Sequence, residues 1–461
     1  MKETKLSFIA VITLISLTIA FIFVITLSLN TNNAVAKNGI PTQNVYLPKI
    51  MRDFNAEWTP IPTQSPAVTP TPTSSLTLTP TPSPSSSPST TPTVTSTPSI
   101  TPTPTATPCG SLSGIISHDT DLVENCDYLV TGNVLVQSGV TLRVGAGDRI
   151  LFDGLYYIKV DGTILAEGVD SRRIIFTSHQ TNPAPGDWIG IRLTGSTQSV
   201  ISFSTIEYAG GTGTIIPGAL NLSGGPHLVD NAVIQQNQRY PLVLGNGNNT
   251  VQNSILINND ISGELISIEG GIGTTTFINN TLISNTASTI IAVTKDGGTH
   301  QLKDNNFESN MAYQSIVYVE SADVEIYGNS FIDNIAGPNN GSGIVKIQNS
   351  PISSTISCNL FTGNQATGQP PQPGGVIYIM FNNGNVFVTN NTILPGLGDY
   401  DITVGSGEET SINATENYWA TSDPNNISER IYDFFDDFNL VEVIFNPFLL
   451  VPPSCAPIKD Q

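Results

Sequence analysis

Asn280-Thr-Leu-Ile-Ser-Asn285, Asn305-Asn-Phe-Glu-Ser-Asn310, Asn329-Ser-Phe-Ile-Asp-Asn334 and Asn359-Leu-Phe-Thr-Gly-Asn364 share one pattern, Asn-x-apolar-x-x-Asn. Asn253-Ser-Ile-Leu-Ile-Asn258 carries it too, and looser copies start at Asn231, Asn391 and Asn417. Successive starts lie 22 to 32 residues apart. Helical repeats keep a fixed length, whereas stacked β-coils accept loops of varying length, so this spacing reads as one copy per coil of a solenoid.

Working toward the N-terminus, Val134, Val136, Val140, Leu142 and Val144 alternate with polar residues, followed by Ile150 and Phe152, then Ile158, Val160, Ile164 and Ala166, then Ile174 and Phe176. Gly139, Gly145, Gly147, Gly154, Gly162 and Gly168 punctuate them. Period-two alternation in such short runs, with no helix between them, excludes an ordinary βαβ sheet. Strands this short gain partners only by stacking coil on coil, about 4.8 Å apart, around a dry column of Ile, Val, Leu and Phe. Asn253, Asn280, Asn305, Asn329, Asn359 and Asn391 are expected at tight bends, because Asn tolerates left-handed backbone and its amide bonds neighbouring backbone or stacks in a ladder. These Asn residues are assigned to structure rather than to a ligand, and Ile255, Leu282, Phe307, Phe331, Phe361 and Ile393 to the core.

The chain has 37 acidic and 17 basic residues. Three of the acids and five of the bases precede the Pro-rich stretch, which leaves 34 against 12 in the repeat region, a net of −22. Such a field repels nucleic acid and anionic polymers. Charged residues are nevertheless only 12% of the chain, so Asn, Thr, Ser and Gly supply most of the polar surface, which suits neutral glycans or envelope components as partners.

Lys2 and Lys5 precede an uncharged apolar run from Leu6 to Leu29, long enough as a helix to cross a bilayer. Residues 1–36 therefore read as a signal peptide or a transmembrane anchor, with Ala34-Val-Ala36 as a cleavage site in the first case. The basic residues on the short N-terminal side place the bulk of the chain outside the cell, either anchored at the surface or secreted. A juxtamembrane segment spans 37–59, and from Pro60 to Pro108 almost every residue is Pro, Thr or Ser. That linker builds no core and favours polyproline II, with a fully extended span on the order of 150 Å. The repeat domain covers 109–455, followed by a tail, 456–461. Cys109, Cys126, Cys358 and Cys455 form no C-x-x-C pair, and an even count in an exported chain implies disulfides. The expected pairs are Cys109 with Cys126 and Cys358 with Cys455, although three connectivities are open to sequence alone.

Tyr128-Leu-Val-Thr-Gly-Asn-Val-Leu-Val-Gln-Ser-Gly-Val-Thr-Leu-Arg-Val-Gly-Ala-Gly147, Val160-Asp-Gly-Thr-Ile-Leu-Ala-Glu-Gly168, Ile174-Ile-Phe-Thr-Ser178 and Asp187-Trp-Ile-Gly-Ile191 resemble the opening coils of secreted bacterial right-handed parallel β-helix proteins, the pectin-lyase-like superfamily. Asn417-Tyr-Trp419, Ile427-Ser-Glu-Arg-Ile-Tyr-Asp-Phe-Phe-Asp-Asp437 and Phe445-Asn-Pro-Phe-Leu449 resemble their closing segment. The resemblance implies an all-β, right-handed parallel β-helix, to which the repeat spacing gives 11 to 12 coils, with a short N-terminal cap and a C-terminal cap containing a short helix expected at its ends. Caps are needed because open strand edges invite aggregation. Ile427 to Phe438 is the expected helix, with Ile427, Ile431, Phe434 and Phe435 on its buried side and Trp419 packed beneath.

Chemistry is harder to find. Lyases of this superfamily combine a carboxylate-held calcium with an Arg or Lys base, but Arg192, Arg239, Lys295, Lys303 and Lys346 stand in no Asp-rich cluster. Asp323 and Glu325 share a strand face that reads as solvated. The Asn-Thr-Asp, Gly-His-Gly and Arg-Ile-Lys tripeptides of polygalacturonases are absent, the pair Asp436-Asp437 falls in the cap, and His118, His179, His227 and His300 have no partner in sequence. No catalytic, metal or cofactor residue is assigned, and calcium finds no support. The expected role is surface recognition or adhesion, with Tyr208, Tyr240, Tyr313 and Tyr378 as exposed glycan contacts. A polysaccharide-cleaving enzyme and a purely structural envelope rod are the alternatives. No motif specifies an oligomeric state.

Overall fold

The computed structural model describes residues 108–458 except 213–217, 270, 272, 295–298, 340, 351–352 and 382–384. The anchor or signal segment, the juxtamembrane segment, the linker up to residue 107, Lys295 and the end of the tail lie outside the described residues. No helix among the described residues is long and apolar enough to cross a membrane.

The chain winds into a right-handed parallel β-helix. One 25-stranded sheet carries two strand columns, and a 13-stranded sheet carries the third. One strand of the smaller sheet falls in each coil. Its first and last members, Thr120–Asp121 and Val443–Ile444, belong to the ends, which leaves about eleven coils. Register is kept from coil to coil. In one column Leu256, Leu282, Phe307, Phe331, Phe361 and Ile393 lie in line. In the smaller sheet Val229, Val251, Phe277, Leu302, Ile326, Ile356 and Val388 do the same. All of these point into the core. The rings of Phe307, Phe331 and Phe361 stack at centroid separations of 4.7 and 4.9 Å, so the aromatic spacing matches the strand spacing.

The Asn-x-apolar-x-x-Asn hexapeptide is one short strand with a bend at each end. Thr281–Ile283, for example, lies between Asn280 and Asn285. The two asparagines of each copy enter two separate ladders. Asn280, Asn305, Asn329, Asn359, Asn391 and Asn417 form one, in which each Oδ1 accepts the backbone N–H and the Nδ2 of the preceding member. Asn237, Asn259, Asn285, Asn310, Asn334 and Asn364 form the other. Each Nδ2 also donates to a backbone carbonyl, as Asn305 does to Phe277 at 2.9 Å. These amides are buried, and the ladder satisfies their donors and acceptors without water.

Two details differ from the sequence reading. The left-handed residue at each bend is the one before the ladder asparagine, including Asn279, Ser284, Asp304, Ser309, Asp333, Cys358 and Asn390. The ladder asparagine therefore earns its place through its amide rather than through tolerance of positive φ. The copy at Asn253 is shifted by one residue. Asn253 and Asn258 hold the left-handed positions, with φ of 51° and 52°, while Ser254 and Asn259 take the ladder sites. The shift turns Ile255 outward, 40% exposed, and puts Leu256 in the core.

The N-terminal cap is built on a strand. Gly110–Ile116 pairs with Asp127–Val136, and the Cys109–Cys126 disulfide fixes it there. Cys358 is bonded to Cys455, tying the last described segment to an inner coil. The C-terminal helix is shorter and earlier than the sequence reading, Pro424–Ser428, with Asp423 accepting from the Asn425 N–H as N-cap. It ends because Ile431 and Tyr432 pair with Ile402 and Thr403 and extend the sheet instead. Ile427 and Ile431 are buried, whereas Phe434 and Phe435 are exposed. Trp419 is fully buried, with the Arg430 guanidinium 5.5 Å from its ring centroid.

Candidate binding face on the long sheet

Strand alternation sends Ile291, Val317, Val345, Ile377 and Ile402 into the core and their neighbours Ala292, Tyr318, Lys346, Tyr378 and Thr403 to the opposite face, in register through successive coils. Further back along the same row stand Asn221, Val243 and Ser267. Most of these outward residues are nevertheless buried: Asn221, Val243, Ser267, Ala292, Tyr378 and Thr403. This face of the sheet is therefore largely screened from solvent.

Tyr318, Lys346 and Tyr378 form the bulky part of this row. The Lys346 ammonium lies 5.1 Å from the Tyr378 ring centroid and 5.7 Å from that of Tyr318, a cation–π arrangement across three coils. Tyr378 is held in a slot that only glycine permits. A Cβ at Gly341, whose φ is +60°, would come 2.5 Å from Tyr378 Cζ, and one at Gly405 would come 2.7 Å from its hydroxyl oxygen. Burial pushes the Tyr378 phenol up to about 12. Burial also raises the Tyr318 phenol, with the neighbouring Glu320 carboxylate adding to the rise, and it lowers the Lys346 amine against the opposing pull of Glu320. Beside this trio is a cavity of about 150 Å³ lined by Gln314, Ser315, Tyr318, Asn339, Gly341, Ser342 and Lys346. Ser342 is committed within its own loop, accepting from the Asn339 N–H at 3.0 Å and donating to the Asn339 carbonyl at 3.2 Å.

The other residues singled out from sequence lie apart from this place. Lys303 pairs with Glu325 at 2.9 Å, and Asp323 accepts from Ser350 Oγ and the Ser353 N–H, so the carboxylates of that face brace adjoining coils. Asp437 accepts from Asn439 inside the cap. His118 contacts Ser117 and is exposed, and His179 lies 3.1 Å from Asp153. Tyr313 is exposed and Tyr208 and Tyr240 are half-buried, but Tyr378 is fully buried, contrary to the sequence reading. Tyr318 and Ser315 were missed; no local motif marks them. A second, open depression lies near Leu155, but its Asp187 carboxylate is taken by Ser178 Oγ at 2.6 Å and the Ala184 N–H at 2.9 Å. Among the described residues no group of three His, Cys, Asp or Glu is placed to hold a metal ion.

His227 and His300 are buried in the smaller sheet's part of the coil, and burial lowers both imidazoles below their usual value. His227 Nδ1 accepts from the Ser199 N–H at 3.2 Å, whereas neither ring nitrogen of His300 has a partner among the described residues. The unfolded chain takes up these protons near pH ~6.5 and the folded chain only at lower pH, so their stabilisation is full above ~6.5 and is lost as pH falls below it. The expected result is a fall in unfolding midpoint between about pH 8 and about pH 5 that is smaller in His300→Val than in the parent chain. An equal fall in both would mean that His300 does not titrate with folding.

Residues 114–214 match the family model described as a pectate-lyase like β-helix domain. These opening coils are thus similar to pectate-lyase-like β-helix domains. Among solved structures, this β-helix protein is similar to the Dettilon tailspike protein, at 12% identity and a TM-score of 0.24 over 68% of this chain. The match spans 61% of the tailspike chain. It is also similar to the Streptococcus pneumoniae surface protein and adhesin PfbA, at 13% identity and a TM-score of 0.24, covering 70% of this chain and 90% of that one. None of the curated proteins matches this chain.

Proposed function

We propose that this β-helix protein is an exported surface-recognition protein that binds carbohydrate on the outward face of its long sheet. The observation that carries the reading is the polar cavity beside Tyr318, Lys346 and Tyr378, built on strands whose register the core holds rigid. Two disulfides support an oxidising compartment, and the apolar run at residues 6–29 supports export. A surface rich in Asn, Thr and Ser suits hydroxyl-bearing ligands.

The full chain is expected to be retained on at least one member of a polysaccharide panel and to release no product from it, with or without calcium. Gln314→Ala combined with Asn339→Ala is expected to weaken that retention at least about tenfold, a loss of roughly 1.4 kcal/mol. Release of reducing ends or unsaturated products would make the protein an enzyme instead. Silence in both channels would leave the rod itself as the function.

A further inference from the structure

The ring faces of Tyr318 and Tyr378 that meet Lys346 are taken up by its ammonium, so the trio holds a cation in place rather than offering those faces to a sugar. That ammonium has three donors. Among the described residues it makes no hydrogen bond and no ion pair at contact distance. Glu320 acts on it only through space, its carboxylate accepting from Gln348 Nε2 at 3.5 Å. A second donor lines the same cavity without use: Ser315 is fully buried and its hydroxyl has no partner among the described residues. A folded protein leaves few such groups unpaired, and two at one cavity call for an acceptor from outside.

Resting on the glycan reading above, we propose that the cavity receives a single carboxylate group carried by the bound sugar, held by the Lys346 ammonium and the Ser315 hydroxyl. A partly desolvated ammonium gains more from a charged acceptor than from a neutral hydroxyl. The repeat region's net charge of −22 turns away a polymer with a charge on every unit, whereas a lone carboxylate meets only the local cation, since charges beyond about 8 Å are screened at physiological salt. The pocket therefore selects a singly acidic sugar, at the end of a glycan or as an isolated substituent, over a polyanion.

The test is titration calorimetry of the full chain with glucuronate, glucose and inorganic phosphate, alongside the polysaccharide panel. Glucuronate is expected to bind at least tenfold more tightly than glucose or phosphate. Lys346→Met is expected to lose at least tenfold in glucuronate affinity, and Ser315→Ala severalfold. Should Lys346→Met fold poorly, the Lys346 ε-amine can be followed by NMR after reductive ¹³C-methylation of the parent chain, where its pKa is expected to rise when glucuronate is added. Equal binding of glucose and glucuronate, tighter binding of phosphate, an unchanged Lys346→Met, or an unmoved amine would each overturn the proposal. If neutral glycans are retained and glucuronate is not, the carboxylate pocket is wrong and the glycan face stands. If nothing on the panel is retained, the glycan face itself is wrong.

Discussion

Asn329→Leu is expected to destabilise the β-helix by about 2–6 kcal/mol, the cost of stranding two buried polar groups at about 1–3 kcal/mol each. The side chain of Asn329 accepts the Asn305 N–H and the Asn305 Nδ2, both at 2.9 Å, and donates to the Leu302 carbonyl at 2.8 Å and to Asn359 Oδ1 at 3.0 Å. Leucine matches the volume and replaces none of these bonds. The stranded Asn305 N–H and Leu302 carbonyl are out of reach of water, because the ladder lies inside the coil. Asn329→Ser is expected to cost clearly less. Ser254 already occupies the equivalent site three coils back and accepts the Ala232 N–H at 3.0 Å, so a hydroxyl can serve the backbone donor even though it breaks the amide chain. Chemical denaturation of the two variants side by side gives the answer: equal losses would mean that volume, not the amide, is what the position requires.

The second large effect is Phe331→Ala, with an expected loss of about 3–5 kcal/mol. Phe331 has no exposed surface and its ring is sandwiched between Phe307 and Phe361. Collapse of the cavity is opposed from both sides, since the neighbouring rings are carried on strands whose separation is set by backbone hydrogen bonds. A loss below about 1 kcal/mol in equilibrium unfolding would show that the coils slide to close the gap, and with it that the strand register is soft. Phe307 and Phe361 each lose their stacked ring in this substitution, and Phe331 and Phe361 share one contact, which predicts that the Phe331→Ala and Phe361→Ala losses do not add.

Much of this architecture was legible because each coil repeats the same small problem. A strand of three residues with one inward side chain, flanked by two bends that need an amide, leaves a hexapeptide whose composition hardly varies. The apolar column from Leu282 to Ile393 and the ladder from Asn280 to Asn391 were both readable from spacing alone. The departures have separate causes. Asn253 and Ile255 were placed one residue out of step, because Asn suits both the left-handed site and the ladder site and Ser254 disguised the latter. In the cap, the apolar spacing of Ile427, Ile431, Phe434 and Phe435 mimicked a helix, but pairing of Ile431 and Tyr432 with the last coil outweighed it.

The candidate site was not legible, and the reason lies in the loops. Tyr318, Lys346 and Tyr378 follow the ladder residues Asn310, Asn334 and Asn364 by 8, 12 and 14 residues, so no fixed period joins them. Lys346 was noted only as one of a few bases, and Tyr378 only as one of several aromatics. The coil is legible in the sequence because inward apolar side chains and bend asparagines obey local rules that act within a few residues. Which outward side chains of different coils share a face depends instead on long-range pairing. Backbone pairing between coils ignores loop length, and it alone brings two tyrosines, a desolvated lysine and an unpartnered serine around one cavity.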